Sequence, residues 1–180
     1  NAVENAPKNF GDGKRSRKKF NIPESKRIIL YLGRIHKIKG LDILIEVFNV
    51  IAKESDDIIL LIVGPDDGYE REIKNKIKQY DLGSRVIFTG PLFGEEKYDA
   101  YRSASIYVLP SRYEIFGGTI LEACQCGIPV ITTKNCGIAS FIAKQAGEVV
   151  KFDKNELLKR TNNDKTNWNN YNVSLNFNTQ

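Results

Sequence analysis

Six short apolar runs, each followed by a turn and a stretch of helical periodicity, constrain this chain more than any other feature of its sequence. The runs are Ile28–Leu32, Ile58–Val63, Val86–Thr89, Ile106–Leu109, Val130–Thr132 and Val149–Phe152. They are largely β-branched, as expected of strands buried on both faces. Between the first two runs, Leu41, Leu44, Ile45, Phe48 and Ala52 fall on one helical face. Ile73, Ile77 and Tyr80 mark a second helix, and Tyr98 and Tyr101 a third, opened by Gly94-Glu95-Glu96. A fourth helix follows Gly117-Gly118 and stops at Gly127-Ile128-Pro129. Alternating units of this kind, joined by right-handed crossovers, build one layered sheet. The expected fold class is α/β, a Rossmann-like open parallel sheet of about six strands flanked by helices.

A length of 180 residues suits one well-cored domain. The pattern places it at residues 26–160, after an inter-domain linker and basic lead-in at 1–25. Residues 161–180 form an Asn-rich tail, in which Trp168, Tyr171 and Leu175 also fit a frayed terminal helix. Hydrophobic residues at 41% and charged ones at 27% exclude disordered, collagenous and disulfide-scaffold chains. No apolar run nears the roughly 18 residues of a membrane span. The opening NAVENAPK lacks the basic and apolar regions of a signal peptide, so a cytoplasmic location is expected. The chain contains no Met; Asn1 is therefore not expected to be a native start, and the chain reads as part of something longer. By the same reasoning, the sequon Asn172-Val173-Ser174 reads as chance.

The net charge of +5 is local. It resides in the run KRSRKK, Lys14 to Lys19, outside which acids and bases balance. Such a run can mark a nucleic-acid or anionic-membrane patch. Without interleaved aromatic residues or a second basic cluster it reads instead as a solvated turn or short helix, and no nucleic-acid partner is expected. Cys124, Cys126 and Cys136 are odd in number, and the single His36 is far from them in sequence. They are read as buried free thiols, with no metal site.

In open α/β sheets ligands bind outside the carboxyl ends of the strands, and the sterically special residues collect there. Gly33 and Arg34 follow the first strand, with His36, Lys37 and Lys39 in the loop leading to Gly40. Gly64 ends the second strand, Gly90-Pro91-Leu92 the third, and Pro110 to Glu114 the fourth. Glycines at successive strand ends admit a ligand close to the backbone. Arg34 and Lys39 suit a phosphate or diphosphate, and the helix opened by Gly117-Gly118 adds backbone N–H groups and a positive dipole end. Glu114 and Glu122 would be repelled by an anion and better accept hydrogen bonds from sugar or ribose hydroxyls. Taken singly, these acids also suit a helix start, Arg34 a surface ion pair, and the glycines plain turns. His36 is read as a loop residue. No G-x-G-x-x-G follows the first strand and no G-x-x-x-x-G-K-[ST] occurs, which removes the main support for a nicotinamide or ATP-hydrolysing reading.

The segment Glu114 to Ile131, E-I-F-G-G-T-I-L-E-A-C-Q-C-G-I-P-V-I, resembles the E-x7-E region of retaining glycosyltransferases with the two-Rossmann GT-B architecture. More narrowly it is similar to the glycosyl transferases group 1 (family-four) type, which includes glycogen, sucrose and lipopolysaccharide-type transferases. G-R-I-H-K-I-K-G from Gly33 to Gly40, then L-I-V-G-P-D-D-G, V-I-F-T-G and Y-V-L-P-S-R-Y-E, match other blocks of that family in order. The resemblance spans about Lys26 to Asp153. It implies a C-terminal donor-binding domain for a nucleotide-diphosphate sugar such as a UDP-, GDP- or ADP-sugar, with no bound metal or other cofactor. By position, Arg34 and Lys39 would hold the diphosphate, and Glu114 would contact the transferred sugar. Glu122 would contact the ribose, with backbone at Phe116, Gly117 and Gly118 near the sugar or distal phosphate and Gly90-Pro91-Leu92 lining a base pocket. The strand-end pattern itself suggests that Gly33, Gly64 and Gly90 form a floor for a bound molecule.

The resemblance also implies polysaccharide biosynthesis and an acceptor glycan or lipid-linked sugar held by an N-terminal half absent here. Peripheral membrane contact, if any, would come through that half. NAVEN resembles the linker joining the halves, and the chain alone is expected to be an inactive fragment. Cys136-Gly137-Ile138-Ala139-Ser140 departs from the family's usual Gly-Gly segment, and Gly118 replaces a larger apolar residue. Two other functions remain: a non-catalytic nucleotide-sugar-binding module, and a nucleotide-sugar epimerase half, against which the E-x7-E spacing argues.

Overall fold

A computed structural model describes residues 11–162. The terminal helix suggested by Trp168, Tyr171 and Leu175, the sequon, and the NAVEN linker lie outside the described residues. Within them, β1 (Arg27–Leu32), β2 (Ile58–Val63), β3 (Val86–Gly90), β4 (Ile106–Leu109), β5 (Val130–Thr133) and β6 (Gly147–Val150) form one parallel sheet. Its order is β3-β2-β1-β4-β5-β6. The helices are α1 (Lys14–Lys19), α2 (Leu41–Glu54), α3 (Glu70–Gln79), α4 (Gly94–Ser103), α5 (Gly118–Gln125), α6 (Ala139–Gln145) and α7 (Lys154–Thr161). The Rossmann-like architecture expected from the alternation is the one observed.

Every residue of β2 and β4 is buried, because helices cover both faces of the sheet. Register is regular across the centre, with Arg27 to Leu32 opposite Ile58 to Val63, and Ile29 and Leu30 opposite Ile106 and Tyr107. The chain grows from β1 to one side through β2 and β3, then returns to the other side of β1 with β4. The strand order therefore reverses between β1 and β4, and a crevice opens outside their carboxyl ends.

Three elements differ from the sequence reading. The last strand is Gly147–Val150 rather than Val149–Phe152. Pairing with β5, Val130 opposite Gly147 through Thr133 opposite Val150, fixes this register, and Phe152 instead packs its ring against the Arg112 guanidinium at 4.5 Å. The short helix α6 and the final α7 carry too few residues to show a period. In α7 the Asp153 carboxylate caps the first turn, accepting from the amides of Asn155 and Glu156 at 2.9 Å.

The basic run KRSRKK is helix α1, docked on α4. Arg15 pairs with Glu95 and Asp99, and Lys19 with Glu96. Arg17 donates to the carbonyls of Pro23, Lys26 and Ser103 at 2.8–3.0 Å, tying the lead-in to both ends of its own turn and to α4. Ser16 and the following Ile22 are buried.

Candidate functional site

The crevice at the β1/β4 reversal is a cavity of about 740 Å³. Its lining brings together Gly33, Arg34, Lys39, Glu114, Phe116, Gly117, Gly118 and Glu122, along with four residues the sequence did not single out: Leu32, Leu109, Ile115 and Thr119. Gly64, Gly90, Pro91 and Leu92 are not part of this lining. Gly64 is a packing position. Its φ is +146°, and a Cβ there would stand 2.0 Å from the Gly33 carbonyl oxygen, so it is protein backbone that makes the close approach. Leu92 is buried beside Arg15, Phe20 and Asp99, under α1.

The loop after β1 is shaped to deliver Lys39. His36 Nδ1 accepts the Ile38 amide at 3.1 Å and caps a single 3-10 turn, Lys37–Lys39. His36 is thus the loop residue expected, with its ring proton on Nε2. Arg112 clamps the same turn: it donates to the Lys37 carbonyl and makes a bidentate pair with Asp42 at 2.9 and 2.6 Å. Burial alone would raise the Asp42 pKa, but the Arg112 guanidinium holds it below the ordinary carboxylate value. Gly40 closes the turn at φ +72°, where a Cβ would lie 1.9 Å from the Pro110 carbonyl oxygen. Only glycine lets this loop lie against the end of β4.

Three ion pairs surround the opening. Lys39 pairs with Glu114, both side chains about 15% exposed, and Glu114 Oε1 also accepts the Gly117 amide at 3.3 Å. Arg34, mostly exposed, pairs with Asp67. Lys97 Nζ lies 2.8 Å from Glu122 Oε1. Helix α5 begins at the cavity with no capping side chain, so its first amides and positive dipole end face the opening.

Glu114 is fixed by the neighbouring strand end: its amide donates to the Asn135 carbonyl at 3.1 Å, and its carbonyl accepts the Gly137 amide at 2.8 Å. Cys136, at the departure from the familiar motif, is buried there and forms a backbone bridge with Glu114. Cys124, Cys126 and Cys136 are all free thiols, the first and last buried.

Beneath the cavity three buried tyrosines tie β1, β4 and α5 together. Tyr31 donates to the Arg34 carbonyl at 2.8 Å. Tyr107 donates to the Leu32 carbonyl at 2.9 Å and shares a 2.8 Å hydrogen bond with the Thr119 hydroxyl. Tyr101 stacks edge-on against Tyr107, ring centroids 5.7 Å apart, with its hydroxyl 2.9 Å from the Thr119 carbonyl and 3.0 Å from Glu122 Oε2. Burial raises the pKa of all three hydroxyls, so they remain neutral donors. No spacing in the sequence links Lys97 and Tyr101 to the strand-end motifs; the crossover through α4 alone brings them in, whereas Tyr107 opens the block Y-V-L-P-S-R-Y-E.

A parallel sheet with a cavity at its reversal, two cations on one loop and two glutamates eight residues apart defines the class as a Rossmann-like α/β domain of the GT-B kind. The chain belongs to the glycosyl transferases group 1 family, whose model matches residues 12–166. It is 36% identical over 140 residues to mannosylfructose-phosphate synthase of Agrobacterium fabrum, covering 73% of this chain and 31% of the relative. Among solved structures it is similar to the C-terminal domain of a glycosyl transferase group 1 family protein from Francisella tularensis, with TM-score 0.78 and 26% identity over 95% of this chain and 90% of that one. The sucrose-phosphate synthase of Thermosynechococcus elongatus superposes with TM-score 0.78 and 29% identity, covering 92% of this chain and 44% of that one. The chain spans about a third of the length of the curated relatives it matches. Among the described residues no helix is long and apolar enough to cross a membrane.

Proposed function

We propose that this chain is the donor-binding domain of a retaining, metal-independent glycosyltransferase that moves a sugar from a nucleotide-diphosphate sugar to a glycan or lipid-linked acceptor. The observation that carries the reading is the segregation of chemistry around one cavity. Arg34, Lys39 and the α5 N-terminus supply positive potential, while Glu114 and Glu122 supply acceptors for hydroxyls. The names of the relatives, mannosylfructose-phosphate synthase and sucrose-phosphate synthase, support sugar transfer as the chemistry.

Lys39 is paired with Glu114 and Arg34 with Asp67. A diphosphate competes with both carboxylates for the cations. On binding, Lys39 turns from Glu114 to phosphate oxygen, and Glu114 exchanges an ammonium partner for the hydroxyls of the sugar. As the sugar–phosphate bond breaks, charge grows on the leaving phosphate. The ammonium and the guanidinium, once turned from their carboxylates, join the amides of α5 in stabilising it. The leaving phosphate then assists deprotonation of the acceptor on the same face. Exposed Ile115 and Phe116 make the cavity mouth apolar, a surface suited to closure by a second domain that brings the acceptor.

Calorimetric titration with UDP, GDP and ADP tests the site. At least one nucleoside diphosphate should bind, and Arg34→Ala and Lys39→Ala should each weaken that binding strongly. Unchanged affinity in both variants overturns the diphosphate assignment.

A further inference from the structure

We infer that Lys97 is a positioning residue for nucleotide recognition: it holds the Glu122 carboxylate so that its free lone pairs meet the two ribose hydroxyls, and it thereby sets the preference for ribonucleotides over deoxyribonucleotides. The inference rests on reading the cavity as a nucleotide site.

Lys97 stands in the first turn of α4, beside Glu95 and Glu96. A cation there opposes the positive end of the helix dipole, whereas its acidic neighbours suit it. Where a local preference is broken, a compensating interaction is expected, and here it is the contact to α5. Lys97 Nζ lies 2.8 Å from Glu122 Oε1, with the two side chains only 19% and 14% exposed. The ammonium also sits 4.9 Å from the Tyr98 ring centroid, a second favourable contact that helps hold it.

The second partner of Glu122 is weaker in kind. The Tyr101 hydroxyl approaches Glu122 Oε2 at 3.0 Å, yet it also lies 2.9 Å from the Thr119 carbonyl, and its single proton serves one acceptor at a time. Lys97 is thus the charged, undivided donor that fixes the plane of the carboxylate. A carboxylate has about four lone-pair directions. With one on each oxygen engaged by protein, one on each remains, and Glu122 lines the cavity. Two parallel acceptors on one rigid group match a vicinal diol.

The experiment is calorimetry on the whole chain with UDP, GDP and ADP and their 2′-deoxy counterparts. The proteins are wild type, Lys97→Met, Lys97→Arg and Arg34→Ala, with Lys97→Gln in place of Lys97→Met if the latter fails to fold. Wild type should favour the ribonucleotide about tenfold, the scale of one hydrogen bond to a charged group. Lys97→Met should cut that ratio about fivefold and leave deoxynucleotide affinity within about twofold, and Lys97→Arg should restore it. Equal loss for both nucleotides in Lys97→Met, an unaltered ratio, or an absent preference in wild type each overturns the inference. Arg34→Ala separates the two levels. Binding that does not occur, or does not depend on Arg34, removes the nucleotide site and the inference with it. Arg34-dependent binding with a ribose preference indifferent to Lys97 removes the inference alone.

Discussion

Basic residues face carboxylates in two regions of this molecule, with opposite results. Between α1 and α4, Arg15 meets Glu95 and Asp99, and Lys19 meets Glu96, around a void of about 20 Å³. At the β1/β4 reversal, Lys39, Arg34 and Lys97 meet Glu114, Asp67 and Glu122 around about 740 Å³. The first arrangement closes on itself, and its charge serves to dock a helix. The second places at least one member of each pair on the wall of an opening, where Arg34, Lys39, Glu114 and Glu122 remain within reach of a ligand. Charge density therefore misleads as a guide to function in this chain. The run with five basic residues among six is structural, while the two cations lining the cavity, Arg34 and Lys39, stand five residues apart on the loop after β1.

The comparison is broken most severely at Lys39. Lys39→Ala should weaken nucleoside diphosphate binding about hundredfold, as expected for a charge-assisted contact in a partly buried site. Its melting temperature should move little compared with that loss. The converse holds at α1: Arg17→Ala strands three carbonyls and should cost about 2 kcal/mol in chemical denaturation, with nucleotide affinity unchanged.

The floor of the cavity should also differ from the α1 face in its alkaline behaviour. Burial pushes the Cys124 thiol in α5 from an ordinary 9.0 up to about 12, and raises Tyr31, Tyr101 and Tyr107 as well. Because the folded pKa is the higher one, the unfolded chain ionises first. The Cys124 contribution is thus complete below pH 9 and is lost as pH rises toward 12. Thermal melts across that interval should fall, and less steeply in Cys124→Ala. The smallest effect is at Asp67: the pair with Arg34 is largely exposed and worth little. Asp67→Asn should tighten diphosphate binding only about two- to threefold, read by the same titration.

The fold was legible because β-branched runs separated by helical periods admit few arrangements other than a covered parallel sheet. What escaped was too short or too dependent on partners. Seven-residue α6 shows no period, β6 takes its register from β5, and α1 is held by residues of α4 eighty positions away. At the site, Gly33, Arg34, Lys39, Glu114 and Glu122 could be read from the sequence because they follow β1 and β4, the strands flanking the reversal. Gly64 and Gly90 end β2 and β3, about one and two strand spacings of roughly 4.8 Å further across the sheet, and they lie outside the cavity lining. Sequence order makes these strand ends look equivalent; sheet order does not. Lys97 and Tyr101 were silent because a contact between two crossover helices leaves no spacing to read.

The central claim, that the cavity at the β1/β4 reversal takes a nucleoside diphosphate while the basic helix does not, is tested most directly by amide chemical shifts in ¹⁵N-labelled protein titrated with UDP, GDP and ADP. The account predicts saturable shifts at Gly33, Gly117, Gly118 and Thr119, with Lys14 to Lys19 unmoved. Shifts confined to Lys14–Lys19, or none at the four cavity amides with any of the three nucleotides, would contradict it.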